Sequence, residues 1–234
     1  MGRLDKATLL KRRGKATVRF YADSCMAYIV RPRVGRDRRG VSAPHDELDN
    51  QRIAANKNKR NLILIVRKNQ PSHFVTLTFS VPTEAAEATK AWNVLAGKWR
   101  KRFNGFYVRV GEISAEKNLH FHVLCAQEVA EYLKVNWTHG FVDAQKVDFL
   151  DLGRICTYMS KDFANPNRPF QRRYVASKGA KPKFEELQYD TMNDALDGVA
   201  EMSQDARSAL DVSLTQTTFG EFGEVSWHPT TGSK

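Results

Sequence analysis

The feature of the sequence that most restricts its fold is the regular succession of strand and helix patterns from residue 73 to residue 163. Alternating apolar and polar residues predict strands at 73–79, 106–113, 119–125 and 141–147. Helical spacing of apolar residues predicts helices at 81–103, 127–135 and 149–163. The order strand, helix, strand, strand, helix, strand is that of split βαβ folds. The sequence therefore predicts the α+β class, as a ferredoxin/RRM-like antiparallel sheet with helices on one face and the other face open.

Basic residues are concentrated in the first third of the chain. The whole sequence has 37 Lys and Arg against 26 Asp and Glu, which gives a net charge of +11. Residues 1–72 contribute 18 basic and 6 acidic residues, whereas residues 191–234 contribute 2 and 7. We therefore expect a polyanionic partner such as nucleic acid. The predicted organisation is a basic N-terminal extension (1–61), a central domain (62–184) and an acidic C-terminal extension (185–234).

Apolar runs and cysteines restrict where the protein functions. No apolar run approaches the ~20 residues that span a membrane, and the N-terminus lacks the apolar core of a secretory signal. The three cysteines form no CxxC pair, which argues against a zinc ribbon or a disulfide framework. We expect a soluble protein in a reducing compartment, with no membrane partner.

Two histidines share one face of the strand predicted at 119–125. Side chains alternate along a strand, so His120 and His122 lie opposite the apolar face that Leu119 and Phe121 begin. If the preceding hairpin pairs Ile113 with Leu119, Glu112 lies directly opposite His120. Two imidazoles and a carboxylate can bind Mn²⁺, Mg²⁺, Zn²⁺ or Fe²⁺ and leave positions open for a substrate oxygen. Exposed histidines without a ligand role are the alternative.

A tyrosine lies between two cations on the last predicted helix. Arg154, Tyr158 and Lys161 form a stripe roughly opposite the apolar stripe of that helix. Tyr158 is either an ordinary surface residue or a nucleophile, and a phenol needs a polarised electrophile such as a metal-bound phosphodiester nearby. In the helix at 81–103, by contrast, Trp92 and Trp99 are interpreted as core residues.

These motifs, in this order and spacing, resemble the HUH endonucleases that initiate rolling-circle replication in bacteriophages and plasmids. The resemblance covers about residues 62–184 and is strongest to the initiators of small single-stranded DNA phages. It depends on Glu112 and on the segments FVTLTF (74–79), HFH (120–122), WTHGFVDAQKV (137–147), YMSK (158–161) and SKGAKP (177–182).

The resemblance implies a metal-dependent nicking enzyme. His120, His122 and Glu112 would bind a divalent metal, Mn²⁺ or Mg²⁺. Tyr158 would attack the scissile phosphodiester of single-stranded origin DNA, while Lys161 positions the phosphate. The products would be a 5′-phosphotyrosine link and a free 3′-OH for a polymerase, and later religation would release the protein.

Basic clusters and host factors complete the predicted interactions. No GxxxxGK[ST] phosphate loop is present, so a host helicase would have to unwind the duplex, and we expect the cytoplasm of a prokaryotic host as the location. The resemblance implies single-stranded DNA at a replication origin as the partner, either as a hairpin or as an open strand. The residues predicted to bind its backbone are Arg154, Lys98, Arg100, Lys101, Arg102, Arg172, Arg173 and Lys178.

One position departs from some phage relatives, and other interpretations stay open. Those relatives have a second tyrosine four residues after the first, where this chain has Asp162, so a single-tyrosine enzyme is predicted. A second protein copy or Tyr174 could then release the circle. The alternatives are a relaxase or transposase with the same chemistry, a metal-dependent hydrolase built on a barrel, and a non-catalytic nucleic-acid-binding module. A barrel needs ~250 residues and further histidines on later strands, which the sequence does not offer.

Overall fold

The computed structural model describes residues 16–21, 26–30, 47–114, 118–191, 194–195, 197–198, 201, 212–219 and 222–229. The basic run at 31–40 lies outside these residues. Contacts divide the chain into two compact units, unit 1 (1–42 and 182–234) and unit 2 (43–181). Within the described ranges, every helix is too short or too polar to cross a membrane.

The main elements of the described secondary structure are ten strands and four α-helices, and a short 3-10 helix (Phe149–Asp151) precedes the last of these helices. In chain order they are β1 (Ala16–Tyr21), β2 (Met26–Val30), α1 (Glu47–Asn69), β3 (His73–Thr78), α2 (Ala85–Arg100), β4 (Tyr107–Ile113), β5 (Leu119–Cys125), α3 (Gln127–Asn136), β6 (Val142–Lys146), α4 (Leu152–Met159), β7 (Val175–Ala176), β8 (Glu185–Tyr189), β9 (Val212–Phe219) and β10 (Phe222–Pro229).

Unit 1 contains a five-stranded antiparallel sheet that the sequence patterns did not indicate. Its strand order is β8-β1-β2-β10-β9. Arg19 of β1 pairs with Glu186 of β8, with 2.7 Å between Nε and Oε1. The guanidinium of Arg19 also lies 4.9 Å from the ring centroid of Phe184.

Unit 2 contains the strands and helices predicted from residue 73 onward. Its five strands form a second antiparallel sheet in the order β6-β3-β5-β4-β7. The predicted α+β class and the predicted order of elements are therefore confirmed. The last helix is shorter than predicted, because α4 ends at Met159 instead of residue 163. After Met159 the chain continues in tight turns, in which the Phe163 N–H donates to the Ser160 carbonyl and the Asn165 N–H to the Asp162 carbonyl.

One face of the unit 2 sheet packs against α2 and α3 and forms the main core. Trp92 and Trp99 are almost fully buried there, at 1 % and 0 % exposure, so their interpretation as core residues is confirmed. The two indole rings lie edge to face with centroids 5.3 Å apart, a favourable geometry for aromatic pairs. On the sheet they face Val75, Leu77, Phe121, Val123 and Tyr107.

The other face of the sheet is only partly open. A second core covers Val108, Val110 and Leu124. The apolar side chains that cover them come from α1 and α4, and they include Leu62, Ile65, Val66, Cys156 and Met159. Because the apolar stripe of α4 is buried in this second core, α4 lies against the sheet. Its polar stripe lies at the edge of the region that no helix covers. Helices therefore occupy part of the face that was predicted to be open.

The segment after α4 is attached to β4 by Phe170. A Cβ atom added at Gly111 would lie 2.0 Å from the Phe170 ring, so the ring can approach the strand this closely only because residue 111 is glycine. Beside it, the buried guanidinium of Arg109 lies between aromatic rings, 4.0 Å from the centroid of Phe121 and 5.7 Å from that of Phe170. Burial lowers the pKa of Arg109 to about 10. Phe170 thus fixes the course of the chain next to β4.

The backbone at the end of β3 lies so close to Gly140 that only glycine fits there. We therefore expect Gly140→Ala to destabilise the protein. Gly140 has φ +152°, and an added Cβ would lie 2.2 Å from the Thr78 carbonyl oxygen and 2.6 Å from the Ser80 nitrogen. The same oxygen accepts hydrogen bonds from the Phe141 N–H and the Trp137 indole. An alanine at this φ would be strained, and its Cβ would displace the backbone of residues 78–80. Together these effects should lower the free energy of unfolding by about 2–3 kcal/mol.

Thermal unfolding measures this loss as a fall in Tm of roughly 4–12 °C. Gly97→Ala is the matched control, because Gly97 lies inside α2 and has no atom within 4 Å of an added Cβ. Alanine in a helix interior should raise stability by about 0.5–1 kcal/mol. Equal stability of Gly140→Ala and the parent would contradict the close approach at Gly140.

Candidate active site

The β4–β5 hairpin has the predicted register. Glu112 pairs with His120, and Val110 pairs with His122. On the other side of β5, Thr78 pairs with His120 and Thr76 with His122. The histidines and Glu112 therefore lie on one face of three neighbouring strands, as the alternation of the sequence predicted.

Threonine hydroxyls from β3 orient both imidazoles. The Thr78 Oγ1 lies 3.0 Å from His120 Nδ1, and the Thr76 Oγ1 lies 3.2 Å from His122 Nδ1. The two imidazole rings are nearly parallel, with centroids 6.4 Å apart. The threonines thus occupy Nδ1 of each ring, which leaves Nε2 as the nitrogen for other partners. Thr76 and Thr78 belong to the FVTLTF segment, but the sequence analysis assigned them no role, because that role depends on the β3–β5 register.

The Glu112 carboxylate joins a histidine to the lysine that follows α4. Its Oε2 lies 3.0 Å from His122 Nε2, and its Oε1 accepts a hydrogen bond from Lys161 Nζ at 2.7 Å. Burial lowers the pKa of His122, although Glu112 acts in the opposite direction. Burial also acts to lower the pKa of Lys161, but the hydrogen bond and charge of Glu112 raise it overall. The site thus favours a neutral His122 and a charged Lys161.

Tyr158 lies at the open edge of this cluster. Its side chain is 44 % exposed, and its hydroxyl oxygen is 3.5 Å from His122 Nε2. Lys161 Nζ is 4.4 Å from the centroid of the Tyr158 ring. Phe74 stacks on His122 with centroids 5.5 Å apart and contacts the edge of the Tyr158 ring. The phenol is thus accessible to a substrate while aromatic packing holds it beside the histidines.

The donor atoms suit a divalent metal, although they do not converge on one point. Two Nε2 atoms and a carboxylate form the two-histidine, one-carboxylate set that binds such metals. Among the residues that the structure describes, however, no three His, Cys, Asp or Glu side chains are arranged to hold an ion. Glu112 contacts His122 and Lys161 instead. Metal binding at His120, His122 and Glu112 thus requires Glu112 to exchange at least one of these partners.

The predicted DNA-binding residues lie in four different parts of unit 2. Arg154 lies on α4 one turn before Tyr158 and pairs with Asp151 at 3.0 Å. Arg172 and Arg173 border a small pocket together with Glu112. The cluster at the end of α2 belongs instead to the helix layer on the opposite face of the sheet; it comprises Lys98, Arg100, Lys101 and Arg102. Lys178 lies in the loop after β7.

The positions relevant to a second tyrosine have different surroundings. Asp162 lies in the turns after α4 and borders the same small pocket as Glu112. Tyr174 is stacked on Phe163 with centroids 6.5 Å apart, and burial raises its pKa, although the side chain of Asn61 acts in the opposite direction. Its contacts are therefore with the second core and not with the histidines.

Comparison with known proteins gives one match. Residues 72–163 match the model of a family described as replication-associated protein ORF2/G2P. The matched segment runs from just before β3 to the turns after α4, and it includes Glu112, both histidines, Tyr158 and Lys161. No curated protein and no solved structure matches the chain.

Proposed function

We infer that the chain initiates DNA replication by nicking a single-stranded origin, and the match of residues 72–163 to the model of the ORF2/G2P family of replication-associated proteins supports the replication role. The observation that carries this proposal is the position of the Tyr158 hydroxyl, 3.5 Å from His122 Nε2 and on the same sheet face as Glu112 and Lys161. An exposed phenol beside two imidazoles, a carboxylate and an ammonium group is suited to phosphoryl transfer.

The proposed reaction exchanges one phosphodiester for another. The Tyr158 oxygen loses its proton and forms a bond to phosphorus, while the bond from phosphorus to the 3′ oxygen breaks and that oxygen takes up a proton. The product is a 5′-phosphotyrosine link and a free 3′-OH that a polymerase can extend. Attack of a 3′-OH on the link reverses the step and reseals the strand.

The surrounding side chains stabilise the charge that develops on the phosphate. Lys161 holds a positive charge next to the Tyr158 ring and can contact a phosphate oxygen. A divalent metal such as Mn²⁺ or Mg²⁺, held by His120, His122 and Glu112, would add Lewis-acid stabilisation of the same oxygens. The threonine contacts to Nδ1 keep both imidazoles oriented for this purpose.

Several parts of the proposal concern the cell. We propose a prokaryotic cytoplasm as the location and a host helicase and polymerase as partners. A relaxase or transposase would use the same bond chemistry on different DNA. A non-catalytic nucleic-acid-binding module would use none, and an assay for covalent product separates it from the others.

Covalent capture on single-stranded DNA tests the proposal. The protein is mixed with a diverse pool of linear and hairpin single strands and Mn²⁺ or Mg²⁺, denatured, and analysed for DNA-linked protein by mass. Peptide mapping should place the link on Tyr158, and sequencing of the captured DNA should give one preferred junction. A link on another residue, or folded protein that yields no link across the pool, would contradict the proposed mechanism.

A further inference from the structure

A basic cleft lies at the edge of the unit 2 sheet, beside β7. It encloses about 530 Å³ and is bordered by Asn58 of α1 and by residues 171–181. Pockets of this size, ~300–1,000 Å³, commonly hold small organic ligands. Residues 171–181 include four basic residues, Arg172, Arg173, Lys178 and Lys181, and no acidic residue. The composition of the walls therefore favours an anionic ligand.

The loop that forms one wall of the basic cleft is anchored to the end of α1. Lys68 Nζ donates hydrogen bonds to the carbonyls of Gly179 and Lys181 at 3.4 and 3.0 Å, and Asn69 Nδ2 donates to the Ala180 carbonyl at 2.8 Å. Gly179 has φ +78°, a conformation that favours glycine. Because α1 occupies these carbonyl oxygens, the loop is held in place before any ligand binds.

Three cations at the basic cleft are available to a ligand. Arg172, Lys178 and Lys181 are exposed, and none of them forms an ion pair within the described part of the chain. Arg173, in contrast, is half-buried and donates from Nε to the Phe163 carbonyl at 2.7 Å. This hydrogen bond stabilises the chain between residues 163 and 173. Arg154 is already paired with Asp151. Three exposed cations that form no ion pair among the described residues therefore border the basic cleft.

Two arginines lie between the basic cleft and the Glu112 side of the tyrosine site. A smaller pocket bordered by Glu112 and Asp162 is also bordered by Arg172 and Arg173, and both arginines border the basic cleft as well. Phe170, packed against Gly111, fixes the segment that carries these arginines. A strand whose phosphate lies at Tyr158 can therefore continue past the arginines into the basic cleft.

We propose that the basic cleft binds backbone phosphates of the substrate strand on one side of the scissile phosphate, through Arg172, Lys178 and Lys181. The identity of the strand rests on the proposed function, whereas the preference for a polyanion rests on the cleft alone. Phosphate contacts of this kind position a strand without reading its sequence. The basic cleft thus holds the strand in register while Tyr158 acts on it.

The salt dependence of binding tests the phosphate contacts. Lys178→Gln/Lys181→Gln is made in a Tyr158→Phe background, so that binding of a polythymidine single strand is measured without covalent product. Each lost phosphate contact should reduce the slope of log K against log salt by ~0.7, or about 1.4 for the pair. Lys90→Gln/Lys134→Gln removes the same charge from exposed lysines of α2 and α3 on the opposite face of the sheet, and its slope should equal that of the parent. Equal reductions in both variants would overturn the proposal.

Trimmed substrates test the position of the strand. In the active protein, Lys178→Gln/Lys181→Gln should lower capture of a strand extended on both sides of the junction by roughly tenfold or more. Removing the extension on one particular side should abolish the difference from the parent protein. A deficit that persists after trimming either side would overturn the proposal. Failure of the proposed function is distinguishable, because it appears as absence of any Tyr158 link while the binding slopes still separate the two lysine pairs.

Discussion

Replacing Tyr158 by phenylalanine should abolish covalent capture of DNA while leaving the fold intact. Phenylalanine keeps the ring that packs against Phe74 and His122, but it has no oxygen that could form a bond to phosphorus. We expect the capture rate to fall by at least ~10³-fold, the scale of effect seen when a nucleophile is removed. Because the side chain is 44 % exposed, loss of the hydroxyl should change Tm by less than a few degrees.

Tyr132→Phe is the matched control for this replacement. Tyr132 is on α3, whose core lies on the opposite face of the sheet, so it should keep full capture activity. Single-strand binding by Tyr158→Phe should also remain close to that of the parent protein. Capture by Tyr158→Phe at the parent rate would mean that another residue is the nucleophile.

The local part of the site could be predicted from sequence, because it depends on a single hairpin. Side chains alternate along β5, and a short loop sets the pairing, so Glu112 could be placed opposite His120 before the structure was considered. The polar stripe of α4 follows from helical spacing in the same way. Arg154, Tyr158 and Lys161 are all exposed, as that spacing predicted.

Other parts of the fold depend on contacts between distant segments. The unit 1 sheet pairs β1 with β8, more than 160 residues later, and no local pattern records such a pairing. In α1, the apolar run LILIV at 62–66 is too short to distinguish a buried strand from a helix, and the charged residues before it obscure the period. The covering of the second sheet face could not be predicted for this reason.

The sequence also did not indicate which single residues allow close contacts between segments. Gly111 admits the Phe170 ring, and Gly140 admits the backbone of residues 78–80. Each role becomes apparent only when the register of β4 or β3 with its neighbours is known. The same holds for Thr76 and Thr78, whose hydroxyls meet imidazoles from a strand more than 40 residues away.

Glu112→Gln should separate the electrostatic role of this carboxylate from its packing. Glutamine has the same shape, but its single oxygen cannot accept from Lys161 on one side and meet His122 on the other, as the two carboxylate oxygens do. It also removes the one negative charge from the predicted ligand set. We expect capture to slow by about 10²–10³-fold, as when one preorganised electrostatic group is lost from an active site.

Stability and metal binding should respond differently to this replacement. Lys161 is 42 % exposed, and a surface ion pair of this kind contributes at most about 1 kcal/mol, so Tm should fall by no more than roughly 4 °C. Mn²⁺ binding without DNA, measured by calorimetry, should weaken clearly. Glu131→Gln on α3 is the matched control and should leave capture and Mn²⁺ binding unchanged. If Glu112→Gln slowed capture but bound Mn²⁺ as the parent does, Glu112 would act by holding Lys161 and His122 in place, and the metal would need another ligand.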